Sequence, residues 1–237
     1  STSGLLLWMS HPAWPSMVWQ IYSWDYETFG SFYGCRKACE PIHIQKNLDD
    51  QKVVVVNTSL KEIKGAKVIY EVYSLEGKSL FKRTSKLNVL ANGLTECFVQ
   101  DKPISASGVY MERLILQDKR GKVISINDYW QDNGEGDFQG FNALEEASIN
   151  CKLIRQKESQ IQIELQNTGA MPALALKLNV READTDKRIL PAYASDGYFN
   201  LLPGEKRTVT VEYVSRGKVA ISAEGYNLKR SRLLTLK

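Results

Sequence analysis

Residues 66–89 read AKVIYEVYSLEGKSLFKRTSKLNV, and their pattern decides the fold class. Val68, Tyr70 and Val72 alternate with Ile69, Glu71 and Tyr73, the period of two that sends successive side chains to opposite faces of a β-strand. Glu76-Gly77-Lys78 then turns the chain into residues 79–89, which predicts a hairpin. Working towards the N-terminus, KVVVVNTS at 52–59 is a β-branched strand, preceded by the Asp49-Asp50 turn and a strand beginning at His43. Working towards the C-terminus, strands are predicted at 94–100, 109–117 and 122–130, the last two joined through Lys119-Arg120-Gly121. About seven short strands with no helix between them predict an antiparallel, immunoglobulin-like β-sandwich over residues 42–131.

Residues 132–146, DNGEGDFQGFNALEE, carry five acidic residues and no basic one. Dense carboxylates suggest calcium, but glycines stand where an EF-hand alternates its ligands. The stretch is read as an acidic, Gly-rich inter-domain linker, with calcium as the minor alternative. Residues 147–237 repeat the β pattern. Strands are predicted at 148–155, 160–166, 174–181, 206–214, 218–225 and 232–236, with turns at Asn167-Thr168-Gly169, Pro203-Gly204 and Arg216-Gly217. Ile161, Ile163 and Leu165 against Gln162, Glu164 and Gln166 mark one buried and one wet face. A second immunoglobulin-like sandwich is the reading. The fold class is therefore mainly β.

The first 41 residues differ in kind. Trp8, Trp14, Trp19 and Trp24, four of the five tryptophans, fall within them. Such density makes either a core or a flat surface that grips a ligand. Apolar runs at 4–9 and 17–22 suit buried strands, and Phe32, Cys35 and Cys39 recur at helical spacing until Pro41 stops the run. Strand, loop and helix make half of a βαβ repeat, which cannot bury both its faces alone. It is expected to be the end of a larger structure and, without the rest, to rearrange or self-associate through exposed apolar surface.

Composition narrows the function. At 237 residues, 43% hydrophobic and 24% charged, the chain has the make-up of a globular protein. Net charge is only +4 and the basic residues are spread out, so no nucleic-acid footprint is predicted. No apolar run reaches membrane-spanning length. Ser1-Thr2-Ser3 resembles a processing boundary more than a signal peptide. Cys35, Cys39, Cys97 and Cys151 suggest no disulfide framework; Cys35 and Cys39 could share a metal, but only His11 and His43 exist to complete a site, so packed free thiols are the reading. No metal and no cofactor are implied.

The run WMSHPAWPSMVWQIYSWDYETFGSFYGCRKACEPIHIQ (8–45) resembles the last barrel strand, active-site loop and closing helix of glycoside hydrolase family 2. SINDYWQ (125–131) and ILPAYASDGYFNLLPGEKRTV (189–209) are similar to the exo-β-glucosaminidase, endo-β-mannosidase and β-mannosidase-like branch of that family. The resemblance implies that residues 1–41 are a (β/α)8 barrel remnant, followed by the two sandwiches. The parent would be a retaining exo-β-glycosidase acting on an oligosaccharide, with the barrel and N-terminal domains as partners of this portion. Export to the periplasm or outside the cell goes with the family. The family's acid/base is a Glu following an Asn; this sequence has no Asn-Glu dipeptide, and the resemblance puts both catalytic glutamates upstream of Ser1. No catalytic residue is therefore assigned.

Substrate contact remains. By resemblance Trp19 would be the aromatic floor under the sugar, with Trp14, Trp24 and Asp25 lining the same mouth; packing is an equal reading for Trp14 and Trp24. The HPAWPS segment departs from relatives where mannosidase-like and glucosaminidase-like members differ, and the sugar stays open. The alternative is a carbohydrate-binding or adhesion module using Trp130, Tyr193, Tyr198 and Phe199. Tyr198 and Phe199 are adjacent, so in a strand one of them would be buried.

Overall fold

The computed structural model describes residues 6–16, 20–101, 108–132, 136–214 and 217–236. They group into two units, residues 36–144 and residues 1–35 with 145–237. Helix α1 is Gly30–Ala38.

Residues 36–144 hold strands β1 (Ile42–Lys46), β2 (Lys52–Asn57), β3 (Ile63–Ser74), β4 (Ser79–Val89), β5 (Gly93–Val99), β6 (Tyr110–Gln117) and β7 (Val123–Gln131). They form sheets β1-β2-β5 and β4-β3-β6-β7, antiparallel throughout. Ile44, Val53 and Val55 of one sheet meet Val68, Tyr70, Val72, Leu114 and Leu116 of the other in one buried cluster. Each fully buried aliphatic side chain there contributes about 1.5–3 kcal/mol of transfer free energy.

A charged pair runs through this apolar layer. Lys46 Nζ sits 2.9 and 3.0 Å from the two Glu112 carboxylate oxygens, and the side chains are 2% and 1% exposed. Tyr70 donates its hydroxyl to Glu112 Oε1 at 2.9 Å. Burial, and then the Glu112 charge beside it, pushes the Tyr70 phenol up, so it remains a donor.

The SINDYWQ segment is β7, and its alternate residues seal the open edge of β1 with side chains. Ile44 N–H donates to Ser125 Oγ at 3.4 Å, Lys46 N–H to Tyr129 Oη at 3.1 Å, and Asn127 Nδ2 to Ile44 O at 3.3 Å. Edge backbone groups that would otherwise lack partners are thus satisfied across the two sheets. Ser125 Oγ donates to Glu40 Oε2 at 2.7 Å, and His43 Nδ1 lies 3.4 Å from the same oxygen. On the opposite face Arg113 Nε meets Asp128 Oδ1 at 2.7 Å.

Within the stretch expected as a linker, Gln139–Ala143 forms a 3-10 turn. Phe141 stands edge-on to Trp130 at 5.1 Å, and Gly140 lies against Leu75 and Val109.

Residues 145–237 carry β8 (Ile149–Lys157), β9 (Gln160–Asn167), β10 (Ala173–Glu182), β11 (Ala192–Ala194), β12 (Phe199–Leu201), β13 (Lys206–Tyr213), β14 (Val219–Gly225) and β15 (Leu228–Leu236). The sheets are β11-β13-β9-β8 and β12-β10-β14-β15. Ile161, Ile163 and Leu165, buried as their alternation predicts, share the core with their same-sheet neighbours Val209 and Val211 and with Leu176, Leu201 and Ile221 of the other sheet. The short β11 and β12 were not anticipated in the sequence.

Both sandwiches use the same corner. Asn57 at the end of β2 donates to Lys61 O at 2.9 Å and Leu90 O at 2.8 Å and accepts from Ser59 N–H at 3.0 Å. Asn167 at the end of β9 donates to Met171 O at 2.8 Å and Leu201 O at 2.9 Å and accepts from Gly169 N–H at 3.0 Å. The threonine that follows donates its N–H to Pro41 O at 2.8 Å in one case and to Ser148 O at 2.9 Å in the other.

The strands expected at 4–9 and 17–22 are not found among the described residues. Residues 6–9 are irregular, and Tyr22 makes only an isolated bridge to Thr28. A barrel strand takes its hydrogen bonds from neighbouring strands. Here the Ile21 and Tyr22 N–H groups instead share Ser10 O, at 3.2 and 3.1 Å. The helix runs from Gly30 to Ala38, where 32–40 was expected.

Candidate functional site

The tryptophan-rich segment is built on the sandwich formed by residues 145–237. Tyr33 of α1 is buried in that sandwich's hydrophobic cluster, edge-on to Phe32 at 5.1 Å and 5.9 Å from the Tyr198 ring. Its hydroxyl is 3.0 Å from the hydroxyl of Thr28. Gly197 makes room for it, since a Cβ there would stand 2.7 Å from the Tyr33 ring. Ser31 Oγ donates to Gln20 O at 2.9 Å and fixes the start of the loop to the helix.

From this anchor the loop turns through residues 23–28. Tyr26 N–H donates to Ser23 O at 3.0 Å and Ser23 N–H to Glu27 O at 3.1 Å, which closes the turn, with Tyr26 at φ 64°. Glu27 is bound by Lys177 and by Arg188. Lys177 also lies 3.6 Å from Glu224 and 5.9 Å from the centre of the Tyr198 ring. Asp25 accepts from the Ser23 hydroxyl and, at 3.4 Å, from Glu27 N–H, and lies 3.5 Å from Arg188 Nη2. His11 stacks on Tyr26 at 4.4 Å, and its Nε2 is 3.1 Å from Trp24 O.

Trp14 is 69% exposed and Trp24 49%; Trp8, Leu6 and Leu7 are exposed as well. Trp19 lies outside the described residues. The turn therefore keeps Trp24 half in solvent on a backbone tied down on both sides. Sequence reasoning named Trp14, Trp24 and Asp25 but missed what supports them: Glu27, Lys177, Arg188 and Gly197. The ASDGYF run quoted above holds Gly197, while Lys177 and Arg188 read as ordinary solvated charges.

The aromatics of the alternative reading are placed differently. Phe199 is buried beneath the Arg207 guanidinium, 4.7 Å away, and Arg207 is held by Asp196 at 2.9 Å. Tyr198 has φ 56° and precedes the strand rather than alternating within it. Tyr193 is exposed on the edge strand β11. With Pro191, Gln160, Glu212 and Val214 it lines an open hollow of about 590 Å³. Lys157, Gln160, Glu212 and Tyr193 are paired in register across all four strands of that sheet, and Gln160 Nε2 donates to Glu212 Oε1 at 2.9 Å.

No group of three or more His, Cys, Asp or Glu side chains among the described residues is placed to hold a metal. Cys39 is exposed rather than packed, whereas burial pushes the Cys97 and Cys151 thiols up to about 11. No helix among the described residues is long and apolar enough to cross a membrane.

Two family models match in tandem. The Mannosidase Ig/CBM-like domain covers residues 49–133, and the exo-β-D-glucosaminidase Ig-fold domain covers residues 127–228. The tandem is similar to the C-terminal portion of glycoside hydrolase family 2. Among the family's curated members, the exo-β-D-glucosaminidase of Amycolatopsis orientalis is 27% identical over 95% of this chain and 25% of its own length. That of Arthroderma benhamiae is 26% identical over 97% of this chain and 28% of its own. The crystal structure of the Amycolatopsis orientalis exo-chitosanase CsxA superposes with a TM-score of 0.85 at 26% identity, over 95% of this chain and 30% of that one. The β-D-mannosidase from Dictyoglomus thermophilum, at 20% identity and a TM-score of 0.71, shares the fold. The chain thus spans between a quarter and a third of the length of these glycoside hydrolase family 2 relatives.

Proposed function

We propose that this chain is the non-catalytic C-terminal portion of a retaining exo-β-glycosidase of the β-glucosaminidase or β-mannosidase type. Its two sandwiches brace a barrel, and its tryptophan-rich loop forms one wall of the sugar site. The observation that carries this is the loop at residues 23–28, which holds Trp24 half-exposed beside the partly buried Asp25 on a sandwich that matches the exo-β-D-glucosaminidase domain. An exposed indole offers the apolar face that stacks on a pyranose ring, and a fixed carboxylate accepts from its hydroxyl or amino group. Trp19 and Trp14 complete the wall in this reading. The partners are an oligosaccharide substrate and the remaining domains of the same protein; exposed Leu6, Leu7 and Trp8 fit either a covering domain or self-association.

The test is release of chromophore from aryl β-glucosaminide, β-mannoside and β-galactoside by this chain and by the longer protein that contains it. Activity in the longer protein only, lowered by Trp24→Ala, supports the reading. Activity in this chain alone overturns it.

A second reading, independent glycan binding, is favoured by one observation: the Tyr193 hollow and its cross-strand row of polar side chains. Binding of chito- or manno-oligosaccharide by this chain, abolished by Tyr193→Ala, would support it.

A further inference from the structure

The turn at residues 23–28 is closed by its own hydrogen bonds, so its shape is set locally, whereas its placement on the protein depends on what grips it from outside. Two cations do so, and both come from the sandwich at residues 145–237. Lys177 projects from β10 to the Glu27 carboxylate, while Arg188 follows the β10 turn and spreads its guanidinium between Glu27 and Asp25. A planar fork with donors on several edges can join two carboxylates in one geometry; an ammonium acts as a single point charge. Lys177 is itself held by Glu224 and the Tyr198 ring, so its place is set by the sandwich rather than by the loop.

The geometry points to Arg188 and Lys177 as positioning residues that set the reach of Trp24 and Asp25, so that the C-terminal sandwich acts as a specificity determinant for the sugar. This rests on the reading of the loop as a wall of the sugar site. Arg188 touches no substrate in this scheme. It holds the second carboxylate oxygen of Asp25, the first being held within the turn by Ser23 and Glu27 N–H, and with Lys177 it neutralises the two acidic side chains that the turn brings together.

Two experiments separate the inference from the reading beneath it. The first is hydrogen exchange on this 237-residue chain, comparing wild type with Arg188→Gln and Lys177→Met. Exchange over residues 20–29 should rise by about tenfold or more, while residues 161–167 in the core stay protected. Unchanged exchange at 20–29 in both variants overturns the clamp. The second is kinetics on the longer protein. Arg188→Gln should raise KM for the oligosaccharide about tenfold with kcat within about twofold, and Arg188→Lys should recover only part of the loss. If Trp24→Ala lowers kcat/KM but Arg188→Gln does not, the positioning role is wrong. If Trp24→Ala changes nothing while exchange at 20–29 still rises, the clamp stands as structure, and its role in substrate specificity fails together with the reading of the sugar site.

Discussion

Tyr33 and Gly197, 164 positions apart, meet so closely that a single methyl group could not be placed between them. Adding one at Gly197→Ala forces the ring or the backbone to move, and overpacking of this kind costs about 1–3 kcal/mol. The sign of the effect should depend on the ring. In a Tyr33→Ala background the same substitution should be nearly neutral, and urea unfolding of the two single variants and the double variant gives the coupling directly. Additive losses would show that Gly197 is needed for some other reason.

The buried Lys46–Glu112 pair should behave asymmetrically. Lys46→Met or Glu112→Leu alone leaves an uncompensated charge in the core and should cost about 3–5 kcal/mol. The double variant should recover most of that loss, because the pair's own attraction does little more than offset its desolvation. Chemical denaturation of the three variants checks this, and a double variant as unstable as either single one contradicts it.

Acid should loosen the unit at residues 36–144 through Glu40. Burial alone would raise this carboxyl, but hydrogen bonds from His43, Lys37 and Ser125 outweigh it and hold it down at about 2, against an ordinary 4.5. A depressed carboxylate contributes stability that is complete above its unfolded value and is lost as pH falls through its folded one. The loss should therefore fall between pH 4.5 and 2. Glu40→Gln should be less stable than wild type at pH 6 and lose less on acidification, as measured by denaturation midpoints across that range.

Each Asn corner stands or falls on three hydrogen bonds between a buried side chain and buried or partly buried backbone. Asn167→Ala strands two carbonyls and one N–H, and should cost about 3 kcal/mol at roughly 1 kcal/mol per unsatisfied group. Asn57→Ala should cost the same in the other sandwich. Thermal unfolding followed by circular dichroism tests the equivalence, and a loss below about 1 kcal/mol would mean water replaces the side chain.

Most strands were legible because each carried its own evidence. Residues 160–166 alternate cleanly, and the turns at Glu76-Gly77-Lys78 and Lys119-Arg120-Gly121 declare their hairpins locally. The strands of three residues, β11 and β12, are too short to show a period. The run at 17–22 is apolar enough for a strand, yet among the described residues Ile21 and Tyr22 bond Ser10 and Tyr22 bridges Thr28, because strand pairing depends on neighbours that a local pattern does not name. The Lys46–Glu112 pair was hidden for a related reason: a lysine at a strand end reads as solvated until a partner 66 positions away is known. In the candidate site, Trp14, Trp24 and Asp25 stood out by residue type and resemblance, whereas Lys177 and Arg188 acquire meaning only when the loop is folded against them.

That distance also has a consequence in time. Glu27 waits for a lysine 150 residues later and an arginine 161 residues later. At about 5–20 residues per second, a ribosome takes roughly 8–30 s to supply them after the loop has been made. Throughout that interval the tryptophan-rich segment is without its clamp, and before it ends the sandwich within residues 36–144 has all its strands available to fold. The tryptophan-rich segment thus precedes its clamp in synthesis and is fixed in place only after Lys177 and Arg188 have been made. A nascent chain is therefore open to aggregation and to chaperone capture at this exposed aromatic segment until β10 and the arginine that follows it arrive.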